Sequence, residues 1–217
     1  MGNIVLFGLP GAGKGTQANN LKNEFNLFKV STGDLLREEI KRESALGKKI
    51  KSIIDQGHLV DDDIINNLIE NILNKESFYN RLIFDGYPRN LQQAKNFDIL
   101  IKKNNQKISC VLNLKVQQDV IIKRILGRRV CSKCGLIFNS YFSPATNKKH
   151  QCDPKYLQKR SDDNEEALKN RFKTYNNETF PILDYYKNQN LLYEIDGMGD
   201  ISAIYKEISQ IIRSLEA

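Results

Sequence analysis

Nine consecutive residues, Gly8-Leu9-Pro10-Gly11-Ala12-Gly13-Lys14-Gly15-Thr16, constrain this chain more than any other stretch, because they close a backbone turn around an anion. The apolar run Ile4-Val5-Leu6-Phe7 before them reads as a buried strand. After them, Ala18, Leu21 and Phe25 recur at helical spacing. A glycine-rich turn between strand and helix aims successive N–H groups at a phosphate, with the helix's positive end behind them. Lys14 adds a mobile point charge. The string matches the G-x4-G-K core of the P-loop in its confirming strand–turn–helix setting. One position departs from that pattern. Gly15 stands where a Ser or Thr commonly ligates Mg²⁺, and the hydroxyl is displaced to Thr16. Water and nucleotide oxygens are therefore expected to hold most of the metal.

Further apolar runs at Phe28–Val30, Leu82–Phe84, Val111–Leu114 and Leu191–Ile195 alternate with helical patterns. Ile64/Ile65, Leu68/Ile69 and Ile72/Leu73 form a stripe after Asp61-Asp62-Asp63, whose charges suit a helix start. Ile201, Ile204, Ile208, Ile211 and Leu215 form another at the C-terminus. This alternation predicts an α/β fold: a P-loop parallel sheet flanked by helices, with ligand sites beyond the strands' carboxyl ends. Two stretches break it. Residues about 31–60 read as an excursion of short helices, and about 129–160 as an inserted, β-rich mini-domain.

Composition narrows the class. With 217 residues, 40% hydrophobic and 27% charged, the chain reads as soluble and globular. No apolar run of about 18 residues predicts a membrane span, and the opening strand leaves no room for a signal peptide. The net charge of +7 is scattered rather than blocked, which argues against nucleic acid as a partner. Cys110, Cys131, Cys134 and Cys152 are too few for a disulfide framework, so a reducing cytoplasm is expected.

Strand 82–84 delivers Asp85-Gly86-Tyr87-Pro88-Arg89 to the sheet edge that holds the P-loop. A carboxylate there is placed for magnesium's water shell, and Arg89 offers a planar fork to phosphate oxygens. Ser31-Thr32-Gly33-Asp34-Leu35-Leu36-Arg37 repeats the arrangement of turn, hydroxyl and arginine, with Ser31 or Thr32 also fit to cap a helix. Cys131-x2-Cys134 has structural zinc spacing, and Gly135 suits the tight knuckle. Cys110 reads as a core thiol, and His58 as a backbone contributor in a turn.

With these motifs in this order, joined by Gly57-His58-Leu59-Val60-Asp61, Gln93, Arg124-Ile125-Leu126-Gly127-Arg128-Arg129 and Arg160 with Asp162, Asp163 and Arg171, the chain resembles the adenylate kinases of the long, zinc-lid type over essentially its whole length. That resemblance implies a CORE of residues 1–30, 61–126 and 165–217, an AMP-binding arm of 31–60 and a LID of 127–164. It implies a reversible, Mg²⁺-dependent transfer, ATP + AMP = 2 ADP, by a monomer. Gly11, Ala12, Gly13, Lys14, Gly15 and Thr16 would wrap the donor phosphates. Arg124 would lie over the donor adenine, with Ile137, Phe138 and Gly199 nearby. Thr32, Arg37, His58, Leu59, Val60, Gly86, Tyr87, Pro88, Arg89 and Gln93 would hold AMP. Arg128, Arg160 and Arg171 would converge on the transferring group, with Lys14, Arg89 and Asp85 as catalytic partners.

The chemistry agrees with that assignment. Phosphoryl transfer needs positioning and neutralised oxygens more than covalent help, and a monophosphate is already anionic, so no general base is required. For Zn²⁺, the resemblance implies a second ligand pair beyond Cys131 and Cys134. Lys155 stands where a further ligand would follow Cys152, so His150 and Asp153 compete for the fourth place. Counting back from Arg160 favours Asp153, giving Cys131, Cys134, Cys152 and Asp153. Competing functions are a UMP/CMP or GTP:AMP kinase, a non-catalytic nucleotide sensor, and a zinc-ribbon nucleic-acid binder.

Overall fold

The computed structural model describes residues 1–146 and 150–216. Positions 147–149 of the expected LID range and position 217 of the CORE range lie outside the described residues. The chain runs β1 (Asn3–Phe7), α1 (Lys14–Glu24), β2 (Phe28–Ser31), α2 (Thr32–Lys41), α3 (Ala45–Asp55), α4 (Asp62–Leu73), β3 (Leu82–Asp85), α5 (Leu91–Lys103), β4 (Ile108–Lys115) and α6 (Gln118–Leu126). It continues through β5 (Arg128–Cys131), β6 (Ile137–Asn139), β7 (Leu157–Gln158), α7 (Glu165–Thr174), α8 (Pro181–Lys187), β8 (Leu192–Asp196) and α9 (Ile201–Ser214). The expected α/β class is present: a five-stranded parallel sheet of order β2-β3-β1-β4-β8, accompanied by a small antiparallel sheet of order β6-β5-β7.

Strand alternation explains why helices cover both faces. Val5, Phe7, Phe84 and Val111 point into one core with α4, α5 and α8, while Ile4, Leu6, Ile83 and Leu112 point into a second with α1 and α9. Helix starts follow local chemistry. Ser31, Asp61, Asn90 and Asn164 each accept a hydrogen bond from a backbone N–H in the first turn of the helix they cap. The α4 stripe buries Ile65, Ile69 and Leu73 as the periodicity predicted. The α9 stripe needs correction. Ile204, Ile208 and Ile212 face the sheet, whereas Ile201 and Leu215 are exposed at the helix ends.

The two excursions are structured as expected: α2 and α3 fill the first, and the three-stranded sheet lies in the second. The first excursion, near residues 55–56, meets the segment that leads from the second excursion into α7. Ser161 Oγ donates to Asp55 Oδ1 at 2.7 Å, and Asn170 Nδ2 donates to the Gln56 carbonyl at 2.9 Å. Among the described residues, no helix is long and apolar enough to cross a membrane.

Candidate active site

A cavity of about 960 Å³ opens over the carboxyl ends of β1, β2 and β3, where the switch from strand to helix leaves backbone N–H groups free. The P-loop forms its floor. Gly13 caps α1 with φ 101°, a conformation that glycine adopts without strain. Lys14 Nζ donates to the carbonyls of Gly8 at 2.7 Å and Leu9 at 3.1 Å, so the loop itself holds the ammonium over the cradle. Burial lowers Lys14 to about 8; Asp85 opposes the shift, and Arg89, Arg171 and Arg128 add to it.

Parallel register sets Asp85 beside this loop. It pairs with Leu6 on one side and Ser31 on the other, so one carboxylate stands between the P-loop strand and the strand leading into α2. The displaced hydroxyl at Thr16 has a steric counterpart at Gly15. A Cβ at Gly15 would come within 3.2 Å of Asp85 Oδ2, so the glycine keeps space open between helix and carboxylate. A lone, half-buried carboxylate facing a phosphate cradle fits the oxygen-ligand chemistry of Mg²⁺. Lys29, which belongs to none of the sequence motifs, lines the same space. Its signal is a charged residue inside an apolar strand run, between half-buried Phe28 and buried Val30.

On the acceptor side, Gly86 adopts φ +82° and turns the chain beneath Arg89. A Cβ there would meet Arg89 Nη2 at 2.9 Å. Arg89 Nε donates to the Gly86 carbonyl at 2.7 Å, Thr32 Oγ1 donates to that same carbonyl at 2.7 Å, and Gln93 Oε1 accepts from Arg89 N at 2.8 Å. Thr32 and Gln93 line a small side pocket together with Leu59, Val60, Gly86 and Arg89. Arg37, His58, Leu59, Val60, Gly86, Pro88 and Arg89 line the main cavity. The Tyr87 side chain, between them, is 1% exposed and lines neither cavity. Its ring packs edge-on against Phe97 and its hydroxyl donates to Asn66 at 3.0 Å, because the turn throws alternate side chains into the core.

Arg128, Arg160 and Arg171 line the same cavity from β5, the loop before α7, and α7. Arg128 is bound by Asp163, and Arg171 by Asp162. Among the lining residues, eight cations (Lys14, Lys29, Arg37, Arg89, Arg124, Arg128, Arg160 and Arg171) face three carboxylates, Asp34, Asp85 and Asp200. Burial, and after it that excess, is visible in their acidities. Burial, Arg171 and Arg37 bring Arg89 down to about 10; burial, Arg128 and Arg37 do the same for Arg160. Arg128 differs: burial opposes its charge too, but Asp163, Asp162 and Asp85 together outweigh burial and raise it. A buried cation cluster of this kind is suited to polyanions.

At the donor end, Arg124 donates to the carbonyls of Ala12 at 3.3 Å and Gly197 at 3.1 Å, and lies 6.0 Å from the Phe142 ring centroid. Ile137, Phe138, Phe142, Met198 and Gly199 complete an apolar wall beside it. Phe142 was not anticipated, although an exposed aromatic beside a turn is the residue type that stacks on a base.

The second excursion gathers Cys131, Cys134, His150 and Cys152, with one donor atom of each within 4.8 Å of the others. His150 Nε2 is buried without a hydrogen-bond partner among the described residues, which is how a metal-ready imidazole presents itself. Three thiols and an imidazole form a soft, closed set that fits structural zinc. Asp153 is corrected. Its Oδ1 accepts from Lys155 N at 2.9 Å and its Oδ2 pairs with Lys155 Nζ at 3.3 Å, so it caps the turn at Pro154 and His150 takes its place. Burial would raise the Cys131 thiol, but the Cys134 N–H at 3.4 Å and His150 hold it low. Burial and the neighbouring Cys134 and Cys131 sulfurs push Cys152 up to about 11. Cys110 lies in the core as expected, with burial raising it to about 12.

The family model described as adenylate kinase matches residues 6–191. An adenylate kinase of Pelagibacter ubique is 43% identical over 211 residues, covering 97% of this chain and 99% of its own. One from Thermosipho melanesiensis is 41% identical over 212 residues, covering 97% and 99%. One from Archaeoglobus fulgidus is 37% identical over 217 residues, covering 99% and 100%. A phosphate cradle, a carboxylate at the neighbouring strand end and arginines from both excursions thus occur in a chain that matches these proteins almost end to end, and the chain belongs to the adenylate kinase family.

Proposed function

We propose that this adenylate kinase carries out its reaction, ATP + AMP = 2 ADP, in the single cavity between its two excursions. Residues 31–60 would act as the AMP-binding arm and 127–164 as the LID, on a CORE of 1–30, 61–126 and 165–217. The observation that carries this reading is the cation excess lining one continuous space, with members from the CORE and from both excursions. A triphosphate with its metal and a monophosphate together bring about four negative charges to match it. A nucleotide sensor has no use for a second phosphate site, and a nucleic-acid binder would expose its cations instead of enclosing them.

Residue roles follow from position. The N–H groups of Gly11 to Thr16 and the Lys14 ammonium hold the donor β- and γ-phosphates. Thr32, Arg37, His58, Leu59, Val60, Gly86, Pro88, Arg89 and Gln93 hold AMP, its phosphate on Arg37 and Arg89 and its base toward Thr32 and Gln93. Arg128, Arg160 and Arg171 spread over the equatorial oxygens as the phosphoryl group moves in line, and Arg124 lies on the donor adenine beside Phe138 and Gly199. Asp85 faces the waters of the nucleotide's Mg²⁺. When bound, that ion neutralises charge between the donor phosphates. Excursions closed against each other keep water from the γ-phosphate.

Zn²⁺ would be held by Cys131, Cys134, His150 and Cys152 as a structural ion. A sheet with strands of four, three and two residues has little core of its own to hold it together. Both substrate sites are built within one chain, which supports a monomer, and a cluster of reduced thiols suits the cytoplasm. Turnover with each monophosphate at fixed ATP tests the assignment. AMP should lead, and a higher rate with UMP or CMP would overturn it.

A further inference from the structure

Asp85 is the carboxylate that the reaction scheme assigns to the metal, yet the cation at ion-pair distance from it comes from outside the P-loop and from neither arginine set, and hydrogen-bonds Asp34. Lys29 is the second residue of β2 and pairs in register with Ile83, whose side chain points to the α1 face of the sheet. From that face its stem runs toward the strand's carboxyl end. Nζ stands 3.9 Å from Asp85 Oδ2, 3.4 Å from Asp34 Oδ2 and 3.6 Å from the point a Cβ on Gly15 would occupy. The side chain is only 14% exposed.

The neighbouring cations are engaged elsewhere. Lys14 is held by the carbonyls of Gly8 and Leu9, Arg89 by the Gly86 carbonyl, and Arg128 by Asp163. They feel Asp85 only through space. Among the described residues, Lys29 is the only cation within ion-pair distance of Asp85.

We propose that Lys29 is a positioning residue of the transfer site: its ammonium holds the Asp85 carboxylate aimed at the P-loop, and its charge weakens the site's hold on the divalent cation that arrives with ATP. The physical reason is competition for one carboxylate. A half-buried carboxylate is costly without an opposite charge beside it, and Lys29 supplies that charge before the metal comes. Once the metal faces Asp85, an ammonium a few ångströms away repels it in a medium less screening than bulk water. The space that Gly15 leaves open beside both groups is where that competition takes place.

The inference rests on reading Asp85 as the metal-facing carboxylate, and the experiment separates the two. Mn²⁺ affinity is measured by electron paramagnetic resonance on full-length protein saturated with a non-transferable ATP analogue. Lys29→Met and Lys29→Gln should tighten Mn²⁺ roughly 3- to 30-fold, while Lys29→Arg keeps the original affinity. Asp85→Asn should weaken Mn²⁺, and adding Lys29→Met to it should then have no effect. Unchanged or weaker Mn²⁺ binding in both neutral Lys29 variants, with Asp85→Asn still weakened, overturns the role of Lys29 alone. An unchanged affinity in Asp85→Asn overturns the reading of Asp85 itself.

Discussion

Arg128 grips Asp163 through Nε, at 2.8 Å, and through a terminal nitrogen, and the Asp163 side chain is entirely enclosed at 0% exposure. Arg171 and Asp162 form a second such pair directly beside it. Two successive aspartates thus orient two arginines that arrive from β5 and α7. Removing one partner of an enclosed pair leaves the other charge uncompensated. Asp163→Ala should therefore lower unfolding stability by about 3 kcal/mol and reduce kcat/KM as well. Denaturant melts paired with steady-state kinetics check this. Loss of stability with unchanged kcat/KM would make the pair a brace with no part in aligning Arg128.

Arg128 and Arg89 should each matter more to the rate than to binding. Arg128→Ala and Arg89→Ala are expected to lower kcat/KM by roughly 100-fold or more, the scale for lost transition-state charge contacts. Arg89→Lys should not restore the rate, because an ammonium cannot reproduce the fork that reaches both the Gly86 carbonyl and Thr32. Near-normal kinetics in either alanine variant would remove that residue from the transfer site.

Proton uptake should accompany ATP binding in alkaline solution. Burial brings free Lys14 to about 8, and bound phosphate must raise it, since an anion favours the charged ammonium. Below that value Lys14 is protonated in both states and contributes no pH dependence. Above it the free enzyme has lost the proton, so binding takes one up and affinity falls as pH rises, by up to about tenfold per unit. Calorimetry at pH 9 in buffers of different ionisation heat reads the uptake directly. No uptake there, or the same uptake in Lys14→Met, would exclude Lys14 as its source.

Zinc should be found at one equivalent in protein purified without chelator, and its removal should affect the donor side first. Phe138, on β6, packs edge-on against His150 with ring centroids 5.0 Å apart, and Phe138 also lines the cavity. Loosening His150 therefore loosens the apolar wall beside Arg124. Chelation or Cys131→Ser should lower Tm and raise KM for ATP more than KM for AMP. A zinc content near zero with unchanged melting in Cys131→Ser would mean that the small sheet holds by packing alone.

Much of this site is legible in the amino-acid sequence because its chemistry is local. The P-loop, Asp85 with Arg89, and the Cys131–Cys134 knuckle each depend on residues a few positions apart, and local spacing fixes their geometry. Strand alternation is equally readable, since a strand buried on both faces must be apolar throughout. Where the Tyr87 and Asp153 side chains go is not readable in this way, for a related reason. Each lies inside a motif, but which side of a turn a side chain takes depends on what packs there: Phe97 and Asn66 for one, Lys155 for the other.

Sequence order alone predicted a phosphate cradle on a parallel sheet and a resemblance to the adenylate kinases. It could not say which charges meet. Lys29 and Asp85 are joined by the register of two parallel strands, Arg128 and Asp163 by the return of the chain into α7, and His150 and Cys131 by the closure of a loop. Electrostatic partners act over a few ångströms in space without regard to sequence separation, so they appear only when packing brings distant segments together.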